Sequence, residues 1–343
     1  MPSFAFSKLI PGGNATIILT DPDIAPGQLP DISARLMSPM HIQAEQVGAL
    51  YSPGFAPVLP GVMPHLPHLQ MMGGEFCVNA TRSAALLLAL RGGMADGIWK
   101  GQLTVSGRAR PVRVLASQNA DCLEAALRCP GRDAPGGSPE STGENVFPLS
   151  SSPSPRMASD RLVSDLAGGT VHSLHCAACV DCAAPGTGRR VMQPGVTLVS
   201  MPGIQHLLVD LSRHPLPDLH SAAWKNASAA WRSACGLADA PASGVVWYEQ
   251  RGDGYRIWPA VEVLATGSEH LESACGSGSL AMALMHRSLG REAGNNDAGA
   301  DAVKVIQPSG ETLYILFPSA SPESAWIAGH VRLAARGVAH VCD

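Results

Sequence analysis

The sequence predicts an α+β chain of two pseudo-symmetric domains, each an antiparallel sheet wrapped around a central helix, with the site in the cleft between them. Three observations carry that expectation. Two turns far apart in the chain each hold a cysteine and lead into an apolar segment: Cys77-Val78-Asn79-Ala80 ahead of Ala84 to Leu90, and Cys275-Gly276-Ser277-Gly278 ahead of Leu280 to Leu284. Each apolar segment reads as a helix that is apolar all round, and such a helix is buried all round. The other apolar stretches are short and turn-bounded, and their spacing argues for α+β rather than regular βαβ units.

The chain has 343 residues, 45% of them hydrophobic and 15% charged, so a sizeable core or a duplicated fold is available. Net charge is −4, with no basic run or aromatic-interleaved patch, which argues against nucleic acid. The longest apolar run is far too short for a bilayer, so no membrane partner is expected. Met1 to Lys8 lacks a signal-peptide layout. Nine cysteines, an odd number without a disulfide-like spread, suit reduced thiols in a cytoplasm.

Taken in order, Pro11-Gly12-Gly13-Asn14 reads as a turn into a strand over Thr16 to Thr20. Residues 21–40 read as loop with a short helix. Residues 41–51 read as a helix stopping near Gly48, and the five prolines of 52–68 as irregular chain. The Cys77 helix ends at Arg91-Gly92-Gly93. Residues 99–116 alternate as a hairpin around Gly107. Residues 130–160 are rich in Pro, Gly and Ser without periodicity. Strands return at Val196–Ser200 and His206–Asp210, and Asp218 is placed as cap of a helix to Cys235 with Trp224 and Trp231 on one face. Further strands fall at 244–248, 255–264, 303–306 and 313–317, with a final pair around Val331 and Val338. The expected division is 1–130, a linker or insertion over 131–190, and 191–325, with the strand at about 326–343 returning to the first half.

A thiol at a helix start meets free backbone N–H groups and the positive end of the macrodipole, a setting that favours thiolate chemistry. Two such thiols suit the inversion of an α-amino acid. One thiolate removes the α-proton from one face and one thiol returns a proton to the other. Water exclusion and two helix N-termini aimed at the carboxylate stabilise the charge that builds. The pair is coupled, one ionised and one neutral, exchanging roles with substrate hand. A cysteine ahead of a helix is more often inert packing; it is the matched pair that points to function.

At these residues the chain resembles the diaminopimelate epimerase superfamily, the cofactor-independent two-cysteine racemases. Leu9-Ile10-Pro11-Gly12-Gly13-Asn14, Cys77-Val78-Asn79-Ala80, Pro202-Gly203-Ile204-Gln205-His206 and Ala274-Cys275-Gly276-Ser277-Gly278 are similar to its four motifs. The resemblance implies Cys77 and Cys275 as acid and base, no cofactor and no bound metal. It implies Asn14, Asn79, Ala80, His206, Gly276, Ser277 and Gly278 around an amino-acid substrate, with a homodimer as the assembly to consider. The family's Glu-Arg pair before the second cysteine is replaced by Thr266-Gly267, and its mid-chain asparagine by Ile204. Those departures argue against a substrate with a second zwitterionic end. The Pro11-Gly12-Gly13-Asn14 start, Ala44-Glu45-Gln46-Val47-Gly48, Gly74-Glu75-Phe76-Cys77 and Ala274-Cys275-Gly276-Ser277-Gly278-Ser279 look more like the histidine racemase branch that supplies opine-type metallophores. Glu45, Gln46 or Glu269 would then hydrogen-bond an imidazole.

His175-Cys176-Ala177-Ala178-Cys179-Val180-Asp181-Cys182 has metal-like spacing but no clear fourth ligand, and unliganded thiols are expected there. His206 reads equally as a structural histidine. The alternatives to histidine racemisation are diaminopimelate or another amino acid, an allylic isomerase, or a non-catalytic binder on the same fold.

Overall fold

A computed structural model describes residues 2–20, 22–55, 62–94, 97–128, 173–182, 187–264, 268–292, 302–318 and 323–341. The first part of the chain runs β1 (Ser3–Pro11), β2 (Thr16–Thr20), α1 (Leu29–Met37), β3 (Gln46–Tyr51), β4 (His68–Met71), α2 (Val78–Gly92), β5 (Ile98–Val105), β6 (Val112–Ser117), α3 (Ala120–Arg128) and β7 (Ser173–Asp181). It continues with β8 (Gly188–Gln193), β9 (Val196–Met201), β10 (Ile204–Asp210), α4 (Ala223–Ala234), β11 (Ala242–Arg251), β12 (Gly254–Val263), β13 (Ser268–Leu271) and α5 (Gly276–Glu292). β14 (Val303–Ile306), β15 (Thr312–Leu316) and β16 (Ser324–His340) close it.

This is a mixed α/β fold in which the strands join one continuous sheet. From β1 to β7 the successive pairings are antiparallel, parallel, antiparallel, parallel, antiparallel and antiparallel. The same order recurs along β9, β10, β11, β12, β14, β15 and β16. Each parallel pair needs a crossover, and the crossovers correspond: α1 and α4 span the first parallel pair of each series, α2 and α5 the second. The sheet is therefore mixed, not antiparallel as expected from sequence.

All residues of α2 from Val78 to Ala89 are buried, which accounts for its apolar circumference. Its leucines share one apolar cluster with Leu280, Met282 and Met285 of α5. The opposite faces of β2 and β10 are covered by α1 and α4, in separate clusters around Leu36 and Trp224.

Several expectations from sequence change. Gln46–Tyr51 is strand, not helix. Val47 and Ala49 pack under α1 while Leu50 faces α2, so both faces are apolar and the period-two signal disappears. β1 and β4 went unread, β4 because prolines surround it. The final pair of strands is one strand, Ser324–His340. Its Gly329 looks like a breaker but sits mid-strand because a Cβ there would lie 2.8 Å from both Arg82 Nη2 and Leu313 Cδ2. β16 pairs with β7 and β15 and, beyond Val331, with β1. The N-cap of α4 is Ala222, without a side-chain cap; Asp218 instead accepts from the His220 amide. Within the expected insertion or linker over 131–190, Ser173–Asp181 and the start of Gly188–Gln193 are strand, not linker; 131–172, with the Pro/Gly/Ser-rich stretch, and 183–186 lie outside the described residues, as does Thr266-Gly267.

The three clustered cysteines lie in and just after β7. Strand side chains alternate faces, so Cys176 and Cys182 enter the α2–α5 core while Cys179 enters another cluster with Leu115 and Trp326. Metal-like spacing in sequence is dispersed by the strand's period.

Candidate active site

Cys77 is the N-cap of α2, in extended conformation, and its Sγ accepts from the Ala80 amide at 3.4 Å. Its carbonyl accepts from the Thr81 hydroxyl at 2.7 Å. Cys275 precedes α5 in the same way: Sγ accepts from the Gly278 amide at 3.2 Å and the carbonyl from the Ser279 hydroxyl at 2.7 Å. In each turn the amide three residues on serves the sulfur and the hydroxyl four residues on serves the carbonyl. This is N-capping with sulfur in place of oxygen.

The two turns touch. A Cβ on Gly276 would lie 2.9 Å from Val78 Cβ. Asn79 Nδ2 donates to the Ala274 carbonyl at 3.0 Å. Arg82, fully buried, donates from Nε to Cys176 O, from Nη2 to His330 O and, at 3.5 Å, from Nη1 to Asn79 Oδ1, so it anchors Asn79 to β7 and β16. Burial lowers its pKa to about 10.

The β1–β2 turn enters from the side. Gly13 has φ +106°, and a Cβ there would fall 2.2 Å from Ser309 Cβ, so glycine is required on both counts. Asn14 is buried; its Nδ2 donates to Glu45 Oε2 at 2.8 Å and its Oδ1 accepts from Thr16. Glu45 Oε2 also accepts from the Ser273 amide at 3.2 Å, which joins the β3 approach to the Cys275 turn. The Cys77 thiol donates to Gln46 Oε1 at 2.6 Å. His206 Nε2 lies 2.9 Å from Ser277 Oγ, itself 3.4 Å from Cys275 Sγ. His206 Nδ1 is buried without a partner. An orphaned N–H is the costlier choice, so we assign the proton to Nε2, which donates to Ser277 and leaves that hydroxyl free to donate to Cys275.

Burial dominates the electrostatics. It pushes Cys77 up to about 12, with the Ala80 amide opposing. Cys275 rises well above its usual value through burial and the Glu272 carboxylate beside it. Burial lowers His206 to about 4, so it is neutral. Ionisation of either thiol thus depends on a neighbouring donor or positive charge that offsets burial.

The structure gathers all the residues singled out from sequence except Glu269. Glu269 is held by Arg232 of α4 at 2.6 Å, with Glu262 on the same guanidinium at 2.9 Å. Sequence reading missed Gln307, whose Oε1 accepts from the Cys275 amide at 2.9 Å. It missed Ser309, whose hydroxyl donates to Gly12 O. It missed Glu272, three residues before Cys275. Nothing in the local sequence marks the first two; the acidic residue beside the second cysteine was there to be noticed.

The fold is shared with a hydroxyproline epimerase from Agrobacterium vitis solved with trans-4-OH-L-proline (TM-score 0.56, 10% identity, 99% of this chain and 93% of that one). It is also shared with a phenazine biosynthesis protein of the PhzF family from Enterococcus faecalis (TM-score 0.52, 10% identity, 99% and 100%). More particularly, residues 3–134 match the family model described as the histidine racemase CntK N-terminal domain. Two histidine racemases from Fusobacterium nucleatum subsp. nucleatum strains are 42% and 41% identical over 86 residues. Those matches cover 25% of this chain and only 27% of each relative's length. Cys77 lies inside the family match; Cys275 lies beyond it.

Proposed function

We propose that the chain is a cofactor-independent amino-acid racemase with L- and D-histidine as its substrate pair, working in the cytoplasm for metallophore synthesis. Cys77 and Cys275 are its two acid–base groups. The carrying observation is the identical hydrogen-bond pattern at two cysteines whose turns abut. The histidine assignment rests on the similarity of residues 3–134 to histidine racemases. The repeated strand pairing is read as two pseudo-symmetric domains, 1–130 and 191–325, each around its own helix, with 326–343 returning to the first and the substrate between them.

In this reading the α-carboxylate sits between the N-termini of α2 and α5, where free amides and both dipoles favour negative charge. One thiolate takes the Cα proton and the opposite thiol delivers its own to the other face. S–H and Cα–H bonds each break and form once, and the thiols end with exchanged protonation. Asn14, Asn79, Ala80, Gly276 and Gly278 line the substrate, and Glu45 and Gln46 are placed for an imidazole. Ser277 and His206 act through Cys275. Incubation of the purified protein with L-histidine in deuterium oxide tests this. The expected result is D-histidine with α-deuterium; Cys77→Ser and Cys275→Ser should each lower turnover at least about 10²-fold. Unchanged, unlabelled L-histidine would exclude the substrate, and a panel of other amino acids would then decide whether the chemistry stands.

A further inference from the structure

We propose that Arg82 is a positioning residue of the site: a buried cation that holds Asn79 between the two cysteine turns and finds its counter-charge only when Cys77 ionises or an anionic group enters the cleft. The inference deepens the racemase reading and rests on it. Arg82 lies two residues beyond the motif that carries Cys77.

The geometry is that of a charge without a partner. Arg82 is fully buried. Its hydrogen bonds go to Cys176 O at 3.1 Å, His330 O at 3.2 Å and Asn79 Oδ1 at 3.5 Å, all neutral acceptors. Among the described residues no carboxylate lies within ion-pair distance of it. Arg232 shows the ordinary arrangement: equally enclosed, it shares Glu262 and Glu269. A buried charge is costly unless paired, and a guanidinium does not escape the cost by losing its proton. Burial lowers Arg82 only to about 10, so it is charged at neutral pH. The sheet makes room for it, since a Cβ on Gly329 of β16 would lie 2.8 Å from Nη2. The second half has no equivalent. Five residues beyond Cys77 stands Arg82; five residues beyond Cys275 stands Leu280, buried and apolar.

Two consequences follow from this placement. The first is orientation. With Oδ1 toward the guanidinium, Asn79 Nδ2 faces the Ala274 carbonyl and joins the two turns. Turned over, that amide would set N–H against N–H and oxygen against oxygen. The second is charge. The titratable groups that act on Arg82 are Cys77 from α2, Cys176 and His175 from β7, His330 from β16 and Glu311 from the turn before β15. Burial holds both histidines below their usual value, so neither is charged at neutral pH. Glu75 and Glu272 oppose ionisation of Cys77, and Arg82 is the cation that acts on it. Cys77 gives its proton to water before substrate enters. Gln46, which accepts from the thiol, offers Nε2 to the thiolate once its amide turns. Cys77 is accordingly the base and Cys275 the acid of the resting site.

The test begins without substrate. The full chain is alkylated with iodoacetamide across a pH series, and the rate at Cys77 is read by peptide mass spectrometry. The midpoint of the Cys77 profile should rise by about one unit in Arg82→Gln. In Arg82→Lys, which keeps a charge, it should rise by less than half as much. An unchanged midpoint in Arg82→Gln, with only stability lost, makes Arg82 structural and overturns the proposal. An equal rise in both variants assigns the effect to geometry and overturns it too. Circular dichroism checks folding. If Arg82→Gln does not fold, Asn79→Asp decides: it supplies the missing carboxylate while Arg82 keeps its bonds to β7 and β16. The midpoint should then rise, and an unmoved one overturns the proposal. On histidine, kcat should fall about 10²-fold in Arg82→Gln with KM little changed, and Arg82→Lys should restore part of it. A raised KM with kcat intact would make Arg82 a binding group alone and overturn the proposal. A shifted midpoint in a protein that racemises nothing would support the cation and remove the racemase reading.

Discussion

His206 illustrates how much one buried side chain sets. It is fully buried beside Gly244, whose missing Cβ leaves room for the ring: a Cβ there would lie 2.3 Å from Nδ1. Its folded pKa of about 4 lies below the ordinary 6.5, so between those values the unfolded chain binds the proton and the folded one does not. The stability this neutral ring permits is whole above 6.5 and is lost as pH falls toward 4. From pH 7 to pH 5 the loss is about 2 kcal/mol. Urea unfolding at both pH values should show that loss in the wild type and not in His206→Gln; equal losses would refute the assignment. Gly276 is the steric counterpart. Gly276→Ala drives a methyl against Val78 and should cost about 1–3 kcal/mol while prying the two turns apart. The catalytic assay should then fall further than the melting temperature suggests. Both cysteines and the small turn residues were legible, because capping and positive-φ turns leave local signatures; Asn14 reads locally as a turn residue and was singled out only through the family resemblance. Glu269 was misplaced and Glu272 overlooked because the partner of a carboxylate is set by the strand or turn that carries it, which sequence distance does not give.

At the scale of elements, α2 and α5 were readable because apolar residues on every side of a helix admit one explanation. Strands were harder. β3 is covered on both faces and so loses its alternation, and β16 carries glycines that look like ends. The parallel pairings, such as β2 with β3, depend on crossovers whose direction no local pattern encodes. The burial asymmetry between helices gives a direct check. Leu86 of α2 is fully buried, and Leu86→Ala should cost about 2–5 kcal/mol. Leu289 near the end of α5 is 46% exposed, and Leu289→Ala should stay within about 0.5 kcal/mol. Denaturant midpoints with unchanged slopes would measure both; comparable effects would mean that α2 does not lie at the centre of the apolar cluster it shares with α5.

At the scale of the whole molecule, β16 decides whether the chain is one body. Its first residues pair with β15 and β7, and its last with β1, so one strand is shared by both series of pairings. The sequence pointed to a strand at about 326–343 returning to the first half, but not to its being one continuous strand with the residues that pair with β15 and β7. The consequence reaches the site. His330 O accepts from both the Gly12 amide and Arg82, so the β1–β2 turn with Asn14 and the Cys77 helix are both referred to β16. A chain ending at His330 would keep those bonds but leave β1 paired with β2 alone and remove Val331, Ala339 and Val341 from the core. Burial of those side chains is worth on the order of 5 kcal/mol. The shortened chain should unfold at markedly lower urea, and backbone amides of β1 should exchange with solvent before those of β10 and β11. The proposed racemisation should weaken in step, because Asn14 is then held by a strand open on one edge. A shortened chain as stable as the whole one, with β1 amides still protected, would mean that the first half closes without β16.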